Sequence, residues 1–97
     1  MGTQISSADL DPRRRKALYR AWHRGMREMD LIMGAFADAE IGGMADADLD
    51  DFEALIEAQD QDMLNWMTDK TPVPAAFDTP VFWRMKAFHT RLKPVHL

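Results

Sequence analysis

Residues 23–40, HRGMREMDLIMGAFADAE, contain a charged junction followed by an amphipathic helix pattern. Apolar side chains recur at the spacing of one broad helix face, at Met29, Leu31, Ile32, Met33, Ala35 and Phe36. A face this wide predicts the most buried helix of the fold, running from about residue 26 to about residue 40. The adjacent glycines at positions 42 and 43 are expected to end it.

The other helix boundaries are marked by capping residues, acidic runs and prolines. Asp11 can cap a first helix that starts at Pro12, where the missing proline N–H costs nothing. Two acidic stretches suit the positive ends of further helices: ADADLDD at residues 45–51, and DQD at residues 60–62, where an aspartate can cap. Thr79 followed by proline begins the last helix in the same way.

Each of these four segments also has an apolar face. The expected core positions are Ala17, Leu18, Ala21 and Trp22, then Leu49, Phe52, Leu55 and Ile56, then Met63, Leu64, Trp66 and Met67, then Val81, Phe82, Met85, Phe88 and Leu92. Helices this short are unstable alone in water and must pack together. The sequence therefore predicts an all-α fold, a compact bundle of about five short helices.

Length and composition limit the classes of function. The 97 residues correspond to a single domain, in which we expect residues 1–10 to form a flexible tail and residues 93–97 to fray. The absence of cysteine excludes thiolate nucleophiles and cysteine metal sites, and the three histidines lack ligand spacing, so no metal site is expected. No apolar run is long enough for a membrane span. Without an apolar leader, the simplest location is the cytoplasm.

Charge is distributed unevenly along the chain. Seven basic residues occur among the first thirty, whereas residues 28–69 contain thirteen acids and no lysine or arginine. The net charge of −4 argues against a nucleic-acid binder, which is usually basic. The run RRRK at residues 13–16 is expected to be solvated, because four consecutive helical residues point in different directions.

The junction HRGMREMD allows an ordinary structural interpretation. Gly25 could end the first helix, or it could be the N-cap of the second, with Glu28 completing a capping box. Arg24 and Glu28, four residues apart, could instead form a surface ion pair. Neither alternative requires a binding site.

Two blocks of sequence support a functional interpretation. RGMRE at residues 24–28 matches an RGxxE signature, and ALIEAQDQDMLNWM at residues 54–67 provides an apolar helix, an acidic turn and a tryptophan. Together they resemble the SdhE family, small factors that promote covalent attachment of FAD to the flavoprotein subunit of succinate dehydrogenase. The resemblance covers roughly residues 18–88. One departure is His23, where many members have a second arginine.

The resemblance implies an all-helical assembly factor that is not an enzyme and carries no cofactor of its own, since FAD belongs to the partner. The partner would be the flavoprotein subunit of succinate dehydrogenase, with that of fumarate reductase as a further candidate. The basic first helix would steer docking to an acidic surface of this partner. The implied partner-binding residues are Arg24, Gly25, Met26, Arg27, Glu28 and Asp30. A generic helical interaction module and a small nucleic-acid-binding helical domain stay open as alternatives.

Overall fold

Five α-helices make up the fold in the computed structural model, which describes residues 9–92. They are α1 (Pro12–Trp22), α2 (Arg27–Glu40), α3 (Asp46–Glu57), α4 (Asp60–Met67) and α5 (Pro80–Leu92). Short 3-10 turns follow α2 at Ile41–Gly43 and precede α5 at Ala75–Phe77. No strand occurs in this described part, so the prediction of an all-α bundle of five short helices is confirmed. None of its helices is both long and apolar enough to cross a membrane.

Side-chain caps mark two of the described helix starts, those of α1 and α5. Asp11 is the N-cap of α1, and its carboxylate accepts the backbone N–H of Arg14 at 3.2 Å. Thr79 Oγ1 lies 3.4 Å from the backbone N of Phe82 at the start of α5. The expected aspartate cap of α4 is wrong: Asp60 is the first residue of the helix and Gln59 the N-cap. The acids of this turn favour the helix through its dipole.

The core is built around α2, which α1 and α5 both contact. Phe36 of α2 lies at its centre, with its ring centroid 5.9 Å from that of Phe52 in α3 and 5.7 Å from that of Phe88 in α5. The predicted α2 face is buried at Met29, Ile32, Met33 and Phe36. Leu31 is the exception: its side chain is 41% exposed, so the buried face is narrower than expected.

A glycine allows the last residue of α1 to pack closely on α2. A Cβ atom at Gly34 would lie only 2.2 Å from Cδ2 of the Trp22 ring. Only glycine leaves room for an aromatic ring against the helix backbone at this distance. The contact fixes the end of α1 immediately before the charged junction.

Ion pairs explain the uneven charge distribution, because basic α1 packs beside acidic α3. Arg13 binds Asp50 and Glu53, and its hydrogen bond holds the pKa of Glu53 below its ordinary value. Arg14 donates to the carbonyl oxygens of Ile41, at 3.0 Å, and Met44. Arg13, Arg15 and Lys16 are exposed as expected, so the expectation that the RRRK run is solvated is wrong only for Arg14, whose side chain is 18% exposed.

The N-terminal end of the described chain also differs from expectation. Leu10, assigned to a flexible tail from the sequence, is buried and belongs to the hydrophobic core. It precedes the Asp11 cap, so the core begins before the first helix. The rest of the expected tail, residues 1–8, and the expected frayed end, residues 93–97, lie outside the described residues.

Candidate functional site

The candidate site is the α1–α2 turn (residues 23–26) together with the first turn of α2. Gly25 has φ +103°, a conformation that L side chains rarely adopt. Met26 is extended and is the N-cap of α2, so Glu28 is the second helical residue. The capping-box prediction, which placed Gly25 at the N-cap and Glu28 third in the helix, is therefore wrong.

Arg24 points into the molecule, towards the α3–α4 junction. Its Nε donates to Oδ1 of Asp60 at 2.8 Å, and its two terminal nitrogens donate to the carbonyl oxygens of Ile56 and Ala58. Its side chain is only 6% exposed. The predicted surface ion pair between Arg24 and Glu28 is therefore wrong, because the guanidinium is fully engaged elsewhere.

Asp30 holds the main chain of the same turn. Its Oδ1 accepts the backbone N–H of Arg24, and its own backbone N–H donates to the carbonyl of Met26 at 2.9 Å. The Met26 side chain is half-buried and packs against the core. Three of the predicted partner-binding residues, Arg24, Met26 and Asp30, thus have contacts that shape the turn from inside.

The other three predicted residues lie on the outside. Gly25, Arg27 and Glu28 are exposed. Neither charged side chain forms a hydrogen bond or ion pair with the described side chains and main chain of residues 9–90. Leu31 follows on the same side of α2, since residues three or four apart share a helix face. We call these four residues the outward face; it presents a planar donor, a carboxylate and an apolar group.

An aromatic pair on α1 borders the turn. The rings of Tyr19 and His23 are stacked with centroids 3.9 Å apart. His23 Nδ1 lies 2.7 Å from the carbonyl oxygen of Tyr19, which can only accept, so Nδ1 must carry a proton. A cleft of about 400 Å³ lies beside this pair and reaches the α3–α4 junction. No feature of the sequence pointed to Tyr19, and only a capping role was predicted for Asp60.

The exposed side chains of the site are suited to polar contacts. Among residues 9–92, no cluster of histidine, aspartate and glutamate side chains is arranged to hold a metal ion. The exposed groups can donate hydrogen bonds through Arg27 and accept them through Glu28. Such a pair suits a polar docking contact that becomes stronger when water is excluded.

Comparison with known proteins identifies the family. The family described as "Flavinator of succinate dehydrogenase" matches residues 15–89. The FAD assembly factor SdhE of Acetobacter pasteurianus is 33% identical over 81 residues, covering 84% of this chain and 74% of that protein. The mitochondrial succinate dehydrogenase assembly factor 2 of Dictyostelium discoideum is 33% identical over 88 residues, covering 91% of this chain but only 62% of that protein.

A third relative, the mitochondrial succinate dehydrogenase assembly factor 2 of Mycosarcoma maydis, is 37% identical over 60 residues. That match covers 62% of this chain and only 25% of the relative. The chain therefore spans only part of its longer relatives, from 25% of this one to 62% of the Dictyostelium discoideum protein. The resemblance predicted from the two sequence blocks is confirmed by the family match over most of the chain. The chain belongs to the SdhE family, the flavinators of succinate dehydrogenase.

Proposed function

We propose that this chain promotes covalent attachment of FAD to the flavoprotein subunit of succinate dehydrogenase by docking on that subunit, and that it catalyses no reaction itself. Two relatives carry the names FAD assembly factor and succinate dehydrogenase assembly factor, which supports the role. The observation that carries the docking proposal is the outward face, where Arg27 and Glu28 are exposed and form no ion pair within residues 9–90.

The contacts follow from the chemistry of the exposed groups. Arg27 offers a planar fork of donors that suits partner carboxylates or carbonyl oxygens. Glu28 accepts hydrogen bonds from partner donors. Gly25 has no side chain, and a Cβ built there would meet no atom of the described chain within 4 Å, so a partner backbone can approach closely. Arg24, which the sequence-based hypothesis also assigned to partner contact, supports the turn instead.

The chain would act by organising its partner. FAD is carried by the flavoprotein, and this chain needs no cofactor of its own. Holding the partner's reacting groups close together accelerates bond formation even though the assembly factor donates no chemical group, since proximity alone can lower a barrier by several kcal/mol. We extend the proposal to the flavoprotein of fumarate reductase, the further candidate client under the family resemblance, and to the cytoplasm as the location, the simplest one for this sequence.

The decisive variant is Glu28→Gln, which removes the charge but keeps the size. The flavoprotein subunit is produced with either the wild-type chain or the variant, and covalent flavin is measured by fluorescence in a denaturing gel. We expect a loss of about tenfold or more, as for a docking hot spot. The fold should lose at most about 1 kcal/mol, because Glu28 favours α2 only through the helix dipole.

Asp62→Asn is the matched control. Asp62 is likewise an exposed carboxylate in the first turn of a helix, α4. Both changes should cost similar stability, but only Glu28→Gln should reduce covalent flavin. Equal flavin signals from the two variants would contradict docking through this face.

The two alternatives can be tested separately. The nucleic-acid alternative depended on the basic first helix, in which Arg13, Arg14 and Arg20 now have acidic or carbonyl partners. A generic interaction module would capture a different partner, so affinity capture with the wild-type chain, followed by mass spectrometry, distinguishes it from the flavoprotein proposal.

A further inference from the structure

A residue outside the RGxxE signature contacts the α1–α2 turn of the candidate site through Arg24. We infer that Asp60, at the start of α4, is a positioning residue: by binding Arg24 it fixes the turn that presents Gly25, Arg27 and Glu28. This inference rests on the proposed function for its biological meaning, although the geometry that it describes does not depend on a partner.

The hydrogen-bond acceptors of the Arg24 side chain all belong to one short segment, residues 56–60. These three acceptors are the Asp60 carboxylate and the carbonyls of Ile56 and Ala58, all more than thirty residues away in sequence. Ile56 lies in the last turn of α3 and Ala58 is the C-cap, and such terminal carbonyls lack partners within the helix. Arg24 therefore caps α3 while Asp60 neutralises its charge.

The turn needs such a restraint because its central residue supplies none. Gly25 has no side chain and is conformationally the most permissive residue type, so its φ of +103° must be maintained by its neighbours. Residue 24 is restrained twice, through its guanidinium by Asp60 and through its backbone N–H by Asp30. Removing Asp60 would leave a buried guanidinium without its counter-charge, so Arg24 would tend to leave the junction and release the turn.

A neighbouring ion pair provides a matched control. Arg20 of α1 binds Glu57 of α3 at 2.7 Å in the same cleft, and connects the same regions of the chain. The two pairs differ in burial: the side chains are 39% and 68% exposed in the Arg20–Glu57 pair, but 6% and 17% exposed in the Arg24–Asp60 pair. Glu57→Ala therefore removes an ion pair between the same regions of the chain, but an exposed one that does not involve Arg24.

The first measurement needs no partner. Amide hydrogen exchange is compared in the wild type, Asp60→Ala and Glu57→Ala at His23 and Arg24, whose N–H groups donate to the carbonyl of Arg20 and to the Asp30 carboxylate. We expect faster exchange at the turn in Asp60→Ala only. Asp60→Asn retains an acceptor oxygen and should lie between wild type and Asp60→Ala, and it serves as the test variant if Asp60→Ala fails to fold. Exchange at the turn that is unchanged in both Asp60 variants would overturn the inference.

The second measurement is a double-mutant cycle on covalent flavin attachment. Asp60→Ala and Arg24→Ala should each lower the rate by on the order of tenfold to a hundredfold, as expected when positioned groups are displaced. The double variant should be no worse than Arg24→Ala, because Asp60 acts through Arg24. Losses that multiply would overturn the inference, since they would mean that the two residues act independently.

The two measurements separate the inference from the proposed function. If the wild-type chain fails to raise covalent flavin, the proposed function fails, while hydrogen exchange still decides whether Asp60 restrains the turn. If the wild type is active and Asp60→Ala keeps full activity, the positioning role is overturned and the proposed function stands.

Discussion

Replacing Gly34 by alanine tests the contact that fixes the end of α1. A Cβ atom at this position would lie 2.2, 2.4 and 2.6 Å from three carbon atoms of the Trp22 ring. Non-bonded carbon atoms normally lie about 3.5–4.0 Å apart, so the indole would have to move by on the order of 1 Å. Because this ring is rigid and packed against the core, it has little freedom to adjust.

Two opposing terms determine the expected loss of free energy of unfolding in Gly34→Ala. Overpacking of a core costs typically about 1–3 kcal/mol, and contacts this short correspond to the upper end. Alanine regains about 1 kcal/mol over glycine in the interior of a helix. The net loss is therefore about 2 kcal/mol, which lowers the melting temperature by roughly 8–16 °C in a domain of this size.

Urea unfolding followed by far-ultraviolet circular dichroism measures the free energy without relying on the tryptophan signal. Gly42→Ala is the control, since a Cβ there would meet only Leu10 Cδ2, at an ordinary 3.8 Å. In a Trp22→Leu background the clash should shrink, so Gly34→Ala should become less costly. A Gly34→Ala variant as stable as the wild type would refute the argument that the indole lies on the α2 backbone.

Three further predictions concern pH, the turn and salt. Desolvation lowers the pKa of His89 in the folded chain, so the unfolded chain binds this proton at a higher pH than the folded chain does. The free energy of unfolding should therefore decrease as the pH falls below about 6.5. The urea midpoint of His89→Gln should fall less over the same pH range. Gly25→Ala should cost about 1–2 kcal/mol in urea unfolding through its positive φ, whereas Gly43→Ala should cost less. The rate constant for association with the flavoprotein, measured by stopped flow, should change little between low and high salt, because Arg13 and Arg20 already have acidic partners. A steep decrease of this rate constant with salt would instead support electrostatic steering by the first helix.

The elements of the fold could be predicted because their signals are local. Asp11 and Pro12 mark the start of α1 through groups within one helical turn. The apolar face of α3, from Leu49 to Ile56, needs only the helical period to be recognised. The same reasoning failed at Leu31, since periodicity identifies a face of α2 but does not show how much of it neighbouring helices cover.

The direction of Arg24 could not be predicted, because its acceptors belong to another part of the chain. The local sequence offers Glu28 four residues away and Asp30 six residues away. The acceptors that bind the guanidinium are carbonyl oxygens, which leave no trace in residue identities, and Asp60, which resembles an ordinary helix cap. Gly34 is a similar case, since a glycine within a helix pattern does not reveal which ring packs on it.

The RGxxE signature forms a turn with one charged side chain on each side of it. In a continuous helix, residues four apart share a face, so Arg24 and Glu28 would be neighbours. A residue with φ +103° cannot belong to a right-handed helix, and Gly25 therefore separates the end of α1 from the start of α2. That separation sends Arg24 into the α3–α4 junction and leaves Glu28 at the surface. The proposed function therefore assigns the two positions different requirements: position 24 requires a fork that reaches three acceptors at once, and position 28 an exposed carboxylate.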